Sequence, residues 1–197
     1  MIKAVLFDAD GVLIDGQMFS ETLARDHGIT TKITEPFFSG PFRKSLIGEA
    51  NLKEILLPYL KKWNWRGGVE AFLQYWFESE HSIDEALVEY IQQLRKRNIT
   101  CCLATNQTED RIEYMLKKMG FANNFDKIYA SSRLGHRKPS LKFYSHIVDD
   151  LGLKKDQILF WDDTEKNVDS ARHFGIHAEI YTDFENFKEK MKNSYKL

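Results

Sequence analysis

Short apolar runs and amphipathic stretches alternate along much of the chain, and this alternation predicts strands separated by helices. Five runs rich in β-branched and aromatic residues predict strands over residues 3–7, 99–104, 127–130, 157–161 and 176–181. Helices are predicted over residues 109–119, 140–151, 165–174 and 184–192, and another begins after Ser82 at capping-box spacing. The pattern predicts an α/β fold with a Rossmann-like core, in which helices cover both faces of a five-stranded parallel sheet in three layers.

Residues 15–82 interrupt this alternation after the first strand. The stretch is rich in aromatic residues and shows no strand alternation, and helices are predicted over residues 18–27, 46–62 and 69–79. The glycines and prolines that separate them are Gly28, Pro36, Gly40, Pro41, Gly67 and Gly68. We therefore predict a core domain of residues 1–14 and 83–197, with a small α-helical domain of residues 15–82 inserted into it. Its aromatic side chains are expected to form its own core.

The composition is that of an ordinary globular protein. With 197 residues, 43% of them hydrophobic, the chain is long enough to bury a substantial core. A formal net charge of −1 provides no overall field to attract nucleic acid or an anionic membrane, so neither is expected as a partner. No signal peptide or membrane-spanning run is recognised, so the cytoplasm is the expected location, with the protein a monomer or weak homodimer. Cys101 and Cys102 are adjacent in a predicted strand, so we expect buried thiols on opposite faces.

Two pairs of carboxylates follow predicted strands. Asp8 and Asp10 come after the first strand and, in extended chain, project to the same side. Asp162 and Asp163 come after the fourth strand. Because the carboxyl ends of parallel strands meet at one edge of the sheet, we expect the two pairs to lie close together. Like charges held this close repel one another, and a cation beside them relieves the repulsion.

Hydroxyl, amide and ammonium groups follow the other strands. Thr105 and Asn106 come after the second strand, and Lys138 lies beyond the third. Taken singly, Thr105 is expected to cap a helix and Lys138 to be a solvated surface charge. Taken together with the carboxylates, they describe a site for an oxyanion and a hard cation, and such oxygen ligands suit Mg²⁺. There, one carboxylate can attack phosphorus to form an aspartyl-phosphate while a second carboxyl group protonates the leaving group.

Four motifs strengthen this interpretation. They are FDADGVL at residues 7–13, ATNQ at 104–107, RKPS at 137–140 and FWDDTEKNVDSAR at 160–172. In this set and order, the chain resembles the haloacid dehalogenase (HAD) superfamily, specifically its magnesium-dependent phosphatase branch. The resemblance covers nearly the whole chain outside residues 15–82, and that stretch resembles the small helical cap of the branch.

The resemblance implies a catalytic role for several of these residues. Asp8 would be the nucleophile, and Asp10 the general acid and base with its backbone carbonyl on the metal. Thr105 would hold the phosphate together with the Asn106 amide. Lys138 would steady both Asp8 and the phosphoryl group.

The resemblance also implies a magnesium site. The implied ligands are Asp8, Asp10, Asp162 and Asp163. Asp163 matches the direct ligand of the fourth motif, and Asp162 is a further ligand or an adjacent partner. Asn167 stands where the family often has another acid, and it is expected to contact the ligands from behind.

The expected activity is hydrolysis of a small phosphorylated metabolite. A sugar phosphate is favoured, because the pattern FFSGPF…GEANLKEIL resembles sugar-phosphate phosphatases of the branch. Dehalogenation is disfavoured, since true dehalogenases lack the aspartate that matches Asp10.

Other activities are weighed against hydrolysis. A phosphomutase stays open, and it would need a second phosphate site to which Arg43 and Lys44 could contribute. A phospho-acceptor receiver switch is less favoured. Receivers carry the acid pair after the first strand and the phosphorylated aspartate after the third, whereas here the acid pair ends the fourth strand and a helical stretch is inserted as well. An inactive binding protein is also less favoured, since the expected side chains are all present.

Overall fold

The computed structural model describes residues 1–16 and 18–197, and five parallel strands form its centre. The strands are β1 (Ala4–Phe7), β2 (Thr100–Thr105), β3 (Lys127–Ala130), β4 (Ile158–Asp162) and β5 (His177–Ile180). They lie in the order β3–β2–β1–β4–β5, so β1 is central and pairs with β2 and β4. The predicted five-stranded parallel sheet is confirmed. Thr105 and Asp162 are the last residues of β2 and β4, one residue beyond the predicted ends.

Both faces of the sheet are buried, as a parallel sheet covered by helices requires. Along β1, Leu6 belongs to the hydrophobic cluster on one face and Phe7 to the cluster on the other. Cys101 and Cys102 fall in opposite clusters in the same way, and both are buried free thiols. The expectation for the two cysteines is therefore confirmed.

Residues 15–82, as far as they are described, form five helices with a hydrophobic core of their own. They are α1 (Phe19–His27), α2 (Thr31–Phe38), α3 (Phe42–Ser45), α4 (Leu52–Lys62) and α5 (Gly68–Ser79), which we call the helical unit. Phe37 and Phe72 are fully buried in this core, and Trp63 packs against both rings. The aromatic residues of this stretch therefore form a core, as predicted.

The helix predicted over residues 46–62 is wrong in its first part. Residues 46–51 form turns, and α4 begins after Asn51. The Asn51 side chain accepts hydrogen bonds from the N–H groups of Lys53 (2.9 Å) and Glu54 (3.3 Å). A capping side chain of this kind fixes where the helix starts.

The interpretation of Pro36 as a helix breaker is also wrong. Pro36 lies inside α2, a helix that sequence reasoning did not predict. A proline removes one N–H donor from a helix and strains the preceding turn. Thr34 and Phe37 are buried on either side of it, and this burial favours the helix in spite of the proline.

Seven further helices lie in the chain as described after the helical unit. They are α6 (Glu85–Lys96), α7 (Glu109–Lys117), α8 (Phe121–Asn124), α9 (Ser131–Leu134), α10 (Leu141–Leu151), α11 (Glu165–Phe174) and α12 (Phe184–Asn193). Apolar side chains of α6, α7 and α12 cover one face of the sheet, and those of α10 and α11 cover the other. Over residues 1–16 and 18–197, no helix has both the length and the apolar character that crossing a bilayer requires.

The two crossings of the chain between the sheet and the helical unit are paired with each other. The Asp15 N–H donates to the Ser82 carbonyl (3.3 Å), and the Asp84 N–H donates to the Leu13 carbonyl (3.0 Å). The Ser82 hydroxyl also donates to Asp15 Oδ1 (2.6 Å). The crossings therefore form a short antiparallel ribbon.

The helix α6 is capped at Asp84. The Asp84 side chain accepts hydrogen bonds from the Leu87 N–H (2.9 Å) and the Tyr181 hydroxyl (3.2 Å). Ser82 instead bonds Asp15 across the ribbon, so the capping box predicted at Ser82 is wrong by two residues. Because the Ser82 hydroxyl donates to Asp15 in the other crossing, it does not cap the start of α6.

We expect Asp84→Ala to lower the free energy of unfolding by about 1–2 kcal/mol, because it removes the cap of α6. Ser82→Ala should lower it by less than about 0.5 kcal/mol, since Ser82 is exposed. Urea denaturation of both variants beside the wild type measures the two effects. A larger loss from Ser82→Ala would contradict the cap at Asp84.

Candidate active site

The carboxyl ends of the central strands meet around a cavity of about 510 Å³. Its lining includes Asp8, Asp10, Thr105, Asn106, Asp163 and Asn167. Lys138 and Asp162 lie behind this lining, with exposures of 1% and 0%, and they contact Asp8 and Asn167. The structure thus brings all of the residues predicted for the site into one region.

Lys138 joins two carboxylates inside the protein. Its ammonium lies 2.8 Å from Asp8 Oδ1 and 2.6 Å from Asp162 Oδ2. Because the lysine side chain is fully buried, its interpretation as a solvated surface charge is wrong. Burial by itself would lower the pKa of Lys138, but the two carboxylates raise it, so the ammonium stays charged.

Asp8 is held in a fixed orientation at the end of β1. Its Oδ1 accepts hydrogen bonds from the Ala9 N–H (2.7 Å) and from the Lys138 ammonium. Burial raises the pKa of Asp8, Lys138 opposes this shift, and Asp162 adds to it. Since Oδ1 is occupied in this way, Oδ2 is left for a further ligand.

Asp162 is surrounded by hydrogen-bond donors. Its Oδ1 accepts from the Thr164 N–H (2.9 Å) and the Asn167 side-chain amide (3.0 Å). Its Oδ2 accepts from the Lys138 ammonium and from the same amide (3.1 Å). Asp162 and Asn167 therefore position Lys138, and most of the bonding capacity of Asp162 is already used.

The side chain of Asp163 packs closely against the loop that follows β1. Gly11 in that loop has a positive φ of 76°, and a Cβ at Gly11 would overlap the Asp163 carboxylate. Glycine is therefore required there both for its backbone conformation and for the space it leaves. The side chain of Asp163 is exposed, so its oxygens are accessible from the cavity.

Thr105 and Asn106 lie at the end of β2. Thr105 lines the cavity at 1% exposure, and the expectation that it caps a helix is wrong because Thr108 caps α7 instead. The Asn106 side chain donates to the Lys138 carbonyl (3.0 Å) and accepts from the Lys138 N–H (2.8 Å). Asn106 thus fixes the backbone of Lys138.

Sequence reasoning gave no role to Gln107, the last residue of the ATNQ motif. Its side-chain amide donates to Asp10 Oδ2, and the Ser131 hydroxyl accepts from its backbone N–H (3.0 Å). The Asp10 side chain is open to the cavity, yet desolvation raises its pKa against the attraction of Arg111 and Lys138. The contact joins residues 97 positions apart and follows from the pairing of β1 with β2.

Sequence reasoning also missed Arg111, a buried arginine of α7 that ties the helical unit to the core. Its guanidinium donates to the Phe77 carbonyl (2.9 Å) and lies 3.6 Å from Glu80 Oε2. Glu80 also accepts from the Phe19 N–H (3.2 Å) and the Trp76 indole (3.0 Å). Burial raises the pKa of Glu80 to about 7, with Arg111 opposing the shift.

The carboxylates form a donor set that fits a hard divalent cation. Asp8, Asp162 and Asp163 offer oxygens that all lie within 4.8 Å of one another. Asp10 adds a fourth carboxylate to the cavity, and Lys138 offsets only part of the combined charge. Oxygen ligands of this kind are those that Mg²⁺ prefers. Asp163 has more free capacity than Asp162 to bind such an ion.

Comparison with protein-family models identifies the family to which this chain belongs. A family model described as haloacid dehalogenase-like hydrolase matches residues 2–175, and the chain belongs to that family. The predicted membership in the HAD superfamily is confirmed.

The relatives differ in how much of their length the chain spans. The chain is 29% identical over 91 residues to the drimenol cyclase drtB of Aspergillus calidoustus, an alignment that covers 46% of this chain and 17% of that protein. It therefore spans less than a fifth of that relative. It is 23% identical over 189 residues to the D-ribitol-5-phosphate phosphatase of Bacteroides thetaiotaomicron, covering 90% of this chain and 91% of that protein.

A solved structure shares the fold over nearly the whole chain. It is the HAD family enzyme bt-2542 from Bacteroides thetaiotaomicron, in complex with magnesium and inorganic phosphate. The TM-score is 0.81 at 20% identity, and the match covers 95% of this chain and 99% of that chain.

We expect Gly11→Ala to weaken Mg²⁺ binding at least about tenfold, because the new Cβ displaces the Asp163 carboxylate. Gly28→Ala is a matched control, since Gly28 also has a positive φ (68°) but has nothing within 4 Å of its Cβ position. Both variants should lose about 1–2 kcal/mol of stability from the backbone conformation alone. Titration calorimetry with magnesium chloride measures the affinities, and equal affinities in the two variants would rule out the displacement of Asp163.

Glu80 should make the stability of the protein depend on pH. Its pKa in the folded state lies above its ordinary value of 4.5, so its contribution to stability is lost as the pH rises from about 4.5 through 7. Glu80→Gln cannot ionise. Relative to wild type, it should therefore gain about 1–3 kcal/mol of stability between pH 4.5 and pH 8.

Urea unfolding at the two pH values, with a chelator present, measures this gain. Glu78→Gln, at an exposed position of α5 two residues before Glu80, is the control for removing a carboxylate near the ribbon. A stability difference between Glu80→Gln and wild type that stays constant with pH would contradict the raised pKa of Glu80.

Proposed function

We propose that the protein is a magnesium-dependent phosphomonoester hydrolase that acts on a small phosphorylated metabolite through an aspartyl-phosphate on Asp8. The observation that carries this proposal is the buried Lys138–Asp8 pair at the cavity, beside the hydroxyl of Thr105 and the carboxylate of Asp163. Such a site holds a charged nucleophile away from bulk water and surrounds it with groups suited to phosphoryl oxygens.

Asp8 is the proposed nucleophile. Its carboxylate, held at Oδ1 by Lys138 and the Ala9 N–H, forms the bond to phosphorus as the bond to the leaving oxygen breaks. Because the carboxylate is already oriented, the attack needs no rearrangement of Asp8. The ammonium of Lys138 opposes the rise in the pKa of Asp8 that burial causes.

Asp10 is the proposed general acid and base. Its raised pKa favours the protonated form that donates a proton to the leaving oxygen. The ionised Asp10 then takes a proton from the water that attacks the aspartyl-phosphate, which releases inorganic phosphate and restores Asp8. The hydrogen bond from Gln107 orients the Asp10 carboxyl group for both steps.

Three groups are proposed to stabilise the phosphoryl oxygens. The hydroxyl of Thr105 and the backbone N–H of Asn106 stand at the end of β2, and the Lys138 ammonium stands behind Asp8. The side-chain amide of Asn106 is used in holding Lys138, so only its backbone group is assigned to the phosphate. Fixed donors of this kind act most strongly where water is excluded.

We propose that Mg²⁺ is held by Asp8, the backbone carbonyl of Asp10, and Asp163, with Asp162 as a further ligand or as the partner that orients Lys138. When bound, the ion would offset the charge of the phosphoryl group and align it with Asp8. The donor chemistry supports this assignment, and the related bt-2542 structure contains both magnesium and phosphate.

Hydrolysis is favoured over phosphomutase activity. A mutase needs a second phosphate site, and the candidates for it are Arg43 and Lys44. Both are exposed on α3, and neither is among the described residues that line the cavity.

We propose that residues 15–82 act as a cap over the site, and that the protein works in the cytoplasm. The proximity of Met18 and Glu80 to the catalytic carboxylates supports the first statement. Sugar phosphates, the class favoured by the sequence, are the first substrates to test. The D-ribitol-5-phosphate phosphatase relative supports this choice.

We expect magnesium-dependent release of phosphate from at least one phosphorylated metabolite in a panel of sugar phosphates and other phosphomonoesters. Asp8→Asn should lower the rate at least about a thousandfold, because it removes the nucleophile. A chelator should abolish the activity of the wild type. Colorimetric phosphate measurement gives all three results.

Asp169→Asn is the matched control, because Asp169 lies on α11 with a side chain that is 65% exposed. It should keep nearly wild-type activity. Equal activity in Asp8→Asn and wild type, or activity untouched by chelator, would refute the mechanism.

A further inference from the structure

A second pocket opens beside the catalytic cavity, within the helical unit. Its volume is about 350 Å³, and it shares Met18 and Glu80 with the lining of the catalytic cavity. The two spaces are therefore neighbours, and these two residues border both of them.

The walls of the pocket are mainly apolar and well supported. Phe19 and Trp76 stack at 4.9 Å between ring centroids, and Phe38 meets Trp76 edge-on at 5.4 Å. The Trp76 indole donates to Glu80 Oε2 (3.0 Å), which fixes the ring at the junction of the two spaces. With Met18, these side chains form a preformed apolar surface.

The polar groups of the pocket do not suit a sugar. The Thr34 hydroxyl donates to backbone carbonyls of its own helix, and the Glu80 carboxylate already accepts from the Phe19 N–H and the Trp76 indole. Ser20 and Thr31 are the other hydroxyls of the described lining. A ligand with several hydroxyl groups would find few hydrogen-bond partners on these walls, whereas an apolar group would cover the aromatic surface.

The charges of the pocket exclude a second anionic group. Glu35 and Glu80 are the charged residues of the described lining, and it contains no lysine or arginine. A second phosphate or a carboxylate on the ligand would face two carboxylates with no counter-ion. The ligand's organic part therefore carries no negative charge.

We propose that this pocket binds the leaving group of the substrate, and that the substrate is the phosphomonoester of an apolar alkyl or aryl alcohol. This inference rests on the proposed function and narrows its substrate class. It differs from the sugar phosphate favoured by the sequence, because the residues that face the leaving group are aromatic and acidic.

Binding of alkylphosphonates tests the inference without any turnover, because their carbon–phosphorus bond is not hydrolysed. Ethyl-, butyl-, hexyl- and octylphosphonate are titrated into the wild-type protein with saturating Mg²⁺ in a calorimeter. Full burial gains about fourfold in affinity for each methylene group. For a partly open pocket we expect the dissociation constant to fall at least about tenfold from ethyl to hexyl, and then to level off.

Two variants test whether the dependence of the dissociation constant on alkyl length arises in this pocket. Met18 is 68% exposed at the junction, so Met18→Glu adds a charge there without disturbing a core. It should reduce the ratio of the ethyl to the hexyl dissociation constant at least about fivefold. Leu57→Glu adds the same charge to α4, where Leu57 is 45% exposed, and it should leave the ratio unchanged.

The outcomes separate this inference from the proposed function. A dissociation constant that does not change with alkyl length, or equal effects of the two variants, would overturn the apolar pocket even if sugar phosphates are hydrolysed. In parallel, kcat/KM for hexyl phosphate should exceed that for ribose 5-phosphate, and the reverse order would also overturn it. If no phosphomonoester is hydrolysed, the proposed function fails, and the phosphonate titration still decides whether the pocket takes an apolar group.

Discussion

The site depends on one buried ammonium held between two buried carboxylates. Removing an ion from water costs several kcal/mol, and only close partners of opposite charge offset that cost. Lys138 meets this condition through Asp8 and Asp162, which stand at the ends of β1 and β4. Asn106, after β2, holds the backbone of Lys138 in place. The order of the strands in the sheet is therefore part of the electrostatics of the site.

The same arrangement explains why the site needs a cation as well as an anion. Five carboxyl groups line the cavity as described, Asp162 lies behind its lining, and the Lys138 ammonium compensates only part of their charge. A phosphate group entering alone would add to the repulsion. The proposed divalent ion among the carboxylates would reverse the local field and so favour the proposed phosphate position.

Much of this could be predicted from the sequence, because strand patterns, glycine stops and motif residues at strand ends are local signals. The sheet then brings Asp8, Thr105 and Asp163 together without further information. The burial of Lys138 could not be predicted in this way, since it depends on a partner 24 residues away. Helix starts in the helical unit also escaped prediction, because the cap at Asn51 competes with several equivalent polar residues. The role of Gln107 required the contact with Asp10 itself.

The antiparallel ribbon at the two crossings has a mechanical consequence. Two independent linkers would let the helical unit slide, tilt and rotate over the site. Because Asp15 and Ser82 are hydrogen-bonded to each other, the two linkers form one ribbon, and such a ribbon twists about its long axis more easily than it shears. Beside the ribbon, Arg111 of α7 holds the end of α5 through the Phe77 carbonyl and Glu80. In the proposed role of the helical unit as a cap, this pairing would favour a swing about that axis over sliding across the carboxylates.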